Sequence, residues 1–530
     1  MNRFLDRSVV LHSNCAVTAS SGLYLPDGSR YQNREIHSDK QPKRIIVTGT
    51  LALAPDAQCG RRLVETIRDP KNPEALAFLD WQDGQWSIVS EIEYGGQVYA
   101  PPSPSHGLVS NLMLPTGIGP CGDLKELLSD IGTTISDFVE ISDRDLLLAQ
   151  SCMLGSWFPD VFDDVPYLAL IGPLGSAKTK LLKLMSCFCR RALLIGDIRP
   201  AALYQLVDSL DCTLLIDELE IGRSNSDREI LRLLRTGSTR GIGAVRNGRF
   251  FSTYGFKVIA ARHLPADAAL SSRFAAISLL PTRKESKILD EKEMRSIADK
   301  FQPRLLAFRV THHEAIRRFR LRPCDLDGMA PRARQLARVL AAPLENDSQV
   351  QSDLIAVLQE QDGQMQVERS LEPEWLVVEA LFGLDHERLP RGARNISVLV
   401  GGVASDVNAM LEERGENLRM TARQAGAVLN SVGFKTERIG NMGRGLKLTH
   451  GFRRKVHDVA RNLGIDRRDI AYNACQEQGY GGLPCALCEE FGITGGLRFV
   501  APEPAKPRRQ VGPPRVSIFT QAEHEGTEES

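Results

Sequence analysis

The sequence predicts an α/β protein built on a parallel sheet, with a β-rich part before it and a helix–helix–hairpin–helix part after it. Three observations carry this. Short apolar runs at Tyr167–Ile171, Ala192–Ile195, Cys212–Ile216 and Phe256–Ala261 alternate with stretches of helical spacing, as buried parallel strands and their crossover helices do. Residues 44–100 hold strand-like runs, with Asp83-Gly84 as a hairpin turn between Phe78–Trp81 and Trp86–Val89. Residues 396–465 read as two helices, a hairpin and a third helix.

At 530 residues the chain is too long for a single core, and about three to four domains of ~150 residues are expected. The expected boundaries are a β-rich domain over 1–110, a helical segment over 111–164, the α/β domain with a small helical part over 165–345, a helical linker over 346–394, the helix–hairpin domain over 395–470, a cysteine-containing segment over 471–499 and a disordered tail over 500–530. Before the α/β core, Asp123–Leu128 shows helical spacing and Ser142–Asp145 resembles a capping box. Lys+Arg 66 balances Asp+Glu 66, so any nucleic-acid surface must be a local patch rather than a global charge. The first residues lack a signal-peptide apolar region, and no apolar run reaches the ~18–20 residues that span a bilayer. The 11 cysteines show no disulfide framework. These features fit a cytoplasmic protein without a membrane partner.

The apolar run Tyr167–Ile171 leads at once into Gly172-Pro173-Leu174-Gly175-Ser176-Ala177-Lys178-Thr179, and helical spacing resumes from Lys180. Strand, small-residue loop and helix is the context of a phosphate-binding P-loop. Backbone N–H groups of such a loop, with a helix N-terminus, form a concave anion site. Lys178 would reach the β- and γ-phosphates of ATP, and the Thr179 hydroxyl would coordinate Mg²⁺. Ala177 stands where glycine is usual; alanine fits there with a negative φ and fits poorly with a positive one. A second apolar strand ends in Asp217-Glu218, the acidic pattern that follows a P-loop. Asp217 would hold the metal and Glu218 would polarise the attacking water.

Taken in order, GPLGSAKT, LLIDELE, a Gly/Arg-rich segment, FKVIAARHLP and LSSRF resemble AAA+ ATPases, and more narrowly the ATPase half of phage and plasmid primase-helicases and superfamily-three helicases. The resemblance covers about residues 120–345, with a looser match near 395–465. It implies a P-loop NTPase fold, a hexameric ring with ATP between subunits, and single-stranded or forked DNA in the pore. It further implies that Arg273 is an arginine finger for the adjacent subunit, and that Arg262 or His263 senses the γ-phosphate. Arg332 or Arg334 would be a second sensor. A surface salt bridge for Arg273 and a solvated helix face for Arg332 and Arg334 suit the same residues. No primase-like carboxylate pair is evident in the first 160 residues.

Two stretches suit DNA. Arg240, Arg246 and Arg249 surround Asn247-Gly248, a hairpin signal, and would bind phosphates without reading sequence. A solvated loop or an inter-subunit ion-pair element explains them equally. The later domain reads as a winged helix: Val403, Val407, Met410 and Leu411 share one helix face, Thr421 caps the next helix, and Gly440–Gly443 forms the wing. Arg423, Lys435 and Arg444 give it a local positive balance for DNA, although winged helices also bind proteins. Cys475, Cys485 and Cys488 have partial zinc-knuckle spacing but lack a nearby fourth ligand, which favours inert cysteines. The leading functional reading is an ATP-hydrolysing, DNA-associated, helicase-like motor. Beside it stand a regulatory ATPase switch that controls assembly with a partner, and a DNA-binding scaffold with a weak nucleotide site. The N-terminal domain is the expected dock for a partner protein.

Overall fold

The computed structural model describes residues 43–51, 62–82, 84–103, 105, 107–197, 199–218, 224–265, 267–281, 287–387, 397–465 and 486–491. The expectations for the first 42 residues, for Cys475 and Cys485, and for the tail from 500 lie outside them. The chain divides into two compact units, Met1–Gln366 and Val367–Ser530.

The first unit opens with β1 (Lys43–Ile46), β2 (Arg62–Asp69), β3 (Asn72–Gln82), β4 (Gln85–Val89), β5 (Ile92–Tyr94) and β6 (Gln97–Ala100). β2, β3 and β4 form an antiparallel meander in which Gln82 faces Gln85 and Gly84 turns at φ +88°. Among the described residues, Val64 and Phe78 pack with Ile92 and Tyr99 in a small core of their own, while Ile67 and Leu79 lie in one hydrophobic core with Ile131, Leu148, Met185, Phe301 and Phe308. Glu65 on β2 links these strands to Arg190 and Arg309. It is buried and bonds Arg190 at 2.9 Å and Arg309 at 2.6 Å. Burial alone would raise its pKa, yet the two guanidinium groups hold it below the usual carboxylate range. An isolated buried carboxylate would be costly, and only the paired arrangement is tolerable.

Helices α1 (Leu124–Ser136) and α2 (Asp143–Gly155) follow, with Asp123 and Ser142 accepting the N–H bonds of Glu126 and Asp145 at their starts. The core then runs β7 (Tyr167–Ile171), α3 (Lys178–Phe188), β8 (Ala192–Ile195), α4 (Pro200–Leu210), β9 (Thr213–Ile216), α5 (Asn225–Thr236), β10 (Gly243–Arg246), β11 (Arg249–Ser252), β12 (Lys257–Ala261), α6 (Ala268–Ser271) and β13 (Phe274–Ser278). Five of these strands form an all-parallel sheet in the order β13-β7-β12-β9-β8. β12 therefore lies between the strand that enters the glycine loop and the strand that ends in Asp217. Leu168, Leu170, Leu214, Leu215 and Val258 are fully buried, as a sheet covered on both faces requires. Helices α7 (Glu291–Arg318), α8 (Pro331–Ala341) and α9 (Ser348–Arg369) complete the unit.

The second unit holds α10 (Pro373–Glu387), β14 (Ser397–Leu399), α11 (Val400–Glu413), α12 (Ala422–Ser431), β15 (Glu437–Arg438), β16 (Arg444–Lys447) and α13 (His450–Leu463). Its antiparallel sheet runs β14-β16-β15. Val403, Val407, Leu411, Ala425 and Leu429 meet Val456 in its core, and Thr421 forms a capping box with Gln424. Of the expected helical linker over 346–394, the described residues 346–387 carry two helices with buried faces. Leu354 and Leu358 of α9 belong to the first unit's core, and Leu376, Val377 and Phe382 of α10 to the second's. Strand β14 was not anticipated, being only three residues long. Among the described residues no helix is long and apolar enough to cross a membrane.

Candidate functional site

The carboxyl ends of parallel strands are where α/β sheets bind ligands, because the connections diverge there and helix N-termini converge. β7 ends there in the glycine loop. Gly172 cannot be replaced without a clash, since a Cβ would lie 2.2 Å from the Leu279 carbonyl oxygen. Gly175 adopts φ +77°, which favours glycine. Pro173 and Leu174 form the outer part of the loop, Leu174 being exposed, while Ser176 is buried and donates to the Pro173 carbonyl at 2.9 Å. Ala177 takes φ +60°, ψ +16°, directly before α3. The negative φ that would have suited alanine is not adopted. The left-handed backbone costs a residue with a Cβ about 1–2 kcal/mol, and this is the position where glycine is usual.

Lys178 donates to the Gly172 and Pro173 carbonyls at 2.6 and 2.8 Å, which holds its ammonium over the loop. The Thr179 hydroxyl donates to Asp217 Oδ1 at 3.1 Å. Asp217 is itself placed by its backbone N–H, which donates to the Ile195 carbonyl at 2.8 Å. Glu218 follows in an exposed position with φ +52°. Among the described residues five non-glycine residues have positive φ, and Ala177 and Glu218 are two of them. Backbone strain of this kind gathers at functional sites. Ala261 pairs in register with Ile171, so Arg262 and His263 emerge level with the loop, between it and Asp217-Glu218.

A hydroxyl and a carboxylate in contact at the foot of the glycine loop are hard oxygen donors, a donor set that fits Mg²⁺. Among the described residues no group of three or more His, Cys, Asp or Glu side chains is arranged to hold a metal ion. Cys488 is buried in the second unit's core.

Arg273 stands at the opposite edge of the sheet. It immediately precedes β13, whose first residue pairs with Tyr167, the first residue of β7. Four strand steps of ~3.3 Å put it about 13 Å or more from its own loop. Its Nε donates to Ser238 Oγ at 3.0 Å, and its Nη1 to the Ala269 carbonyl. Burial and the nearby Arg332 charge push its pKa below the usual arginine value. Arg332 and Arg273 line one cleft with Asp164, Ser238, Ser272 and Gln335. Arg334 instead donates to the Met329 carbonyl at 2.8 Å.

β10 and β11 pair antiparallel around Asn247-Gly248, which take φ +50° and +74°, as a two-residue hairpin turn requires. Arg246 and Arg249 face each other beside the turn and are exposed. They pair with Glu229 at 2.5 Å and Asp208 at 2.9 Å. Val245 and Phe250, directly opposite each other, are exposed apolar residues that charge-based reasoning passed over; their strand alternation was the available signal. Arg240 is placed differently from Arg246 and Arg249. Its guanidinium donates to the Pro159 and Phe162 carbonyls and lies 4.8 Å from the Tyr254 ring centre, so its charge is spent at the base of the hairpin. In the second unit, Arg423 and Lys435 are exposed. Arg444 is exposed too and donates to the Thr436 hydroxyl and carbonyl at 3.2 and 3.1 Å.

No family model and no curated protein matches the sequence. Solved structures do show similarity. One described as SCCmec type IV Cch, an active helicase, aligns at a TM-score of 0.37 with 11% identity, over 79% of this chain and 80% of that one. The apo NrS-1 C-terminal region aligns at 0.33 with 10% identity, over 73% and 96%. A JCV helicase aligns at 0.20 with 15% identity, over 47% and 69%. At this distance the chemistry has to be read from the site's own residues.

Proposed function

We propose that this chain is an Mg²⁺-dependent ATPase that drives movement on DNA, working as a ring of copies. The observation that carries the reading is the Thr179–Asp217 contact at the carboxyl edge of the sheet, with Lys178 and Glu218 on either side of it. The loop N–H groups and Lys178 would bind and orient the β- and γ-phosphates. Thr179 and Asp217 would hold Mg²⁺, which would supply positive charge to neutralise the phosphate oxygens. Glu218 would orient a water and take its proton as the water oxygen bonds to the γ-phosphorus. The bond to the β–γ bridging oxygen breaks, and ADP and phosphate leave.

Arg273 is too far from its own loop to assist, so it would serve a neighbouring copy. This is the basis for a ring. The Arg246–Arg249 hairpin and the Arg423, Lys435 and Arg444 region of the second unit, read as a winged helix, would meet DNA through phosphates. The Arg246–Glu229 and Arg249–Asp208 pairs of the hairpin would exchange for phosphate oxygens.

A second reading, a nucleotide-dependent switch or scaffold with a weak site, is favoured by one observation, the left-handed backbone of Ala177. Steady-state ATP hydrolysis and strand displacement, each with and without single-stranded DNA, separate the two. DNA-stimulated hydrolysis with unwinding supports the motor. Hydrolysis without unwinding supports the switch, and its absence leaves the scaffold.

A further inference from the structure

The β10–β11 hairpin is an excursion of the chain between α5 and β12, and its two ends are fastened together. Gly255 N–H donates to the Gly237 carbonyl at 3.2 Å. The fully buried Lys257 donates to the Thr253, Gly255 and Gly237 carbonyls at 2.8, 3.0 and 3.3 Å, which draws residues before and after the hairpin onto one ammonium. The Tyr254 hydroxyl, with one proton to donate, lies 2.9 and 2.6 Å from the same Pro159 and Phe162 carbonyls that Arg240 uses.

Ser238 sits in this base and is 3% exposed. Its carbonyl accepts from Val165 N–H at 2.8 Å. Its neighbour Thr239 donates to Asp164 at 2.6 Å. Its hydroxyl accepts from Arg273 Nε at 3.0 Å. Arg273 has a second anchor, the Ala269 carbonyl, and lines the cleft shared with Arg332. A guanidinium is planar and rigid, so holding Nε and Nη1 fixes the direction of the remaining N–H groups.

We propose that Ser238 is a positioning residue for Arg273, orienting the guanidinium and tying it to the base of the hairpin so that arginine and hairpin move as one block. The proposal rests on the reading of Arg273 as a group donated to a neighbour's nucleotide. It assigns no hinge between hairpin and arginine: a displacement of bound DNA relative to the next subunit is then also a displacement of Arg273. Ser238 touches no nucleotide and acts only through Arg273.

The test is steady-state hydrolysis by the full chain, with and without saturating single-stranded oligodeoxythymidine. Ser238→Ala is expected to lower kcat about tenfold and to reduce the stimulation by DNA at least about threefold, with the KM for ATP and the Kd for DNA within about twofold of wild type. Ser238→Thr keeps the hydroxyl and is expected to recover most of kcat. Ser238→Cys preserves the volume with a weak acceptor, and is expected to behave as Ser238→Ala should the alanine variant fail to fold. An unchanged kcat, a loss carried by KM, or an unchanged stimulation overturns the proposal. A wild type that does not hydrolyse ATP overturns the ATPase reading beneath it, so the two failures are distinguishable.

Discussion

The Thr179 hydroxyl donates a hydrogen bond to Asp217 at 3.1 Å, although 38 positions separate the two residues. The contact exists because β7 and β9 are held parallel on either side of β12, and both end at the same edge of the sheet. Thr179→Ala and Asp217→Ala should each reduce hydrolysis by about two orders of magnitude and raise the Mg²⁺ concentration for half-maximal rate. A magnesium titration of phosphate release reads both effects. Unchanged half-saturation in both variants would refute the metal assignment.

Ala177 occupies a left-handed backbone. Ala177→Gly should relieve about 1 kcal/mol of strain, and the nucleotide Kd should fall about fivefold if that strain opposes the binding conformation. Isothermal titration with a non-hydrolysable ATP analogue measures it. Weaker binding would show that the loop gains nothing from glycine.

The hairpin arginines should divide into two kinds. Arg246→Ala with Arg249→Ala should weaken single-stranded DNA binding and lower the slope of log K against log salt by roughly 1.4, two phosphates at ~0.7 each. Arg240→Ala should leave that slope alone and destabilise the first unit by about 1.5–3 kcal/mol, because two backbone carbonyls lose a charged donor. Fluorescence anisotropy against salt and urea denaturation separate the two.

Much of this site was legible in sequence because the signals are local. Gly172–Thr179 follows a buried apolar run, Asp217-Glu218 ends another, and Asn247-Gly248 names its own turn. Non-local pairing carried the rest. Glu65 gives no sign in sequence that it will meet Arg190 and Arg309. Arg240 has the same charge and glycine-rich setting as Arg246, and only the Pro159 and Phe162 carbonyls distinguish it. The φ of Ala177 is set by the path from β7 into α3, which residue identity alone does not dictate.

Lys257 makes stability pH-dependent. Burial pushes its pKa down to about 7 in the folded chain, whereas an unfolded lysine titrates near 10.5. Between these values the unfolded state binds the extra proton, so the stability of the first unit should rise with pH from about 7 to about 10.5. Lys257→Met should flatten that part of the profile, measured as urea midpoints across pH. A slope unchanged in the variant would assign it to other groups.

Glu218 is the proposed activator of water in a DNA-coupled ATPase site. The most direct measurement compares ATP hydrolysis by wild type and Glu218→Gln, with and without single-stranded DNA, alongside nucleotide affinity. The wild type should show DNA-stimulated turnover. Glu218→Gln should lose about 100-fold or more in kcat with ATP binding retained. Hydrolysis that is indifferent to Glu218, or absent from the wild type, would contradict that role.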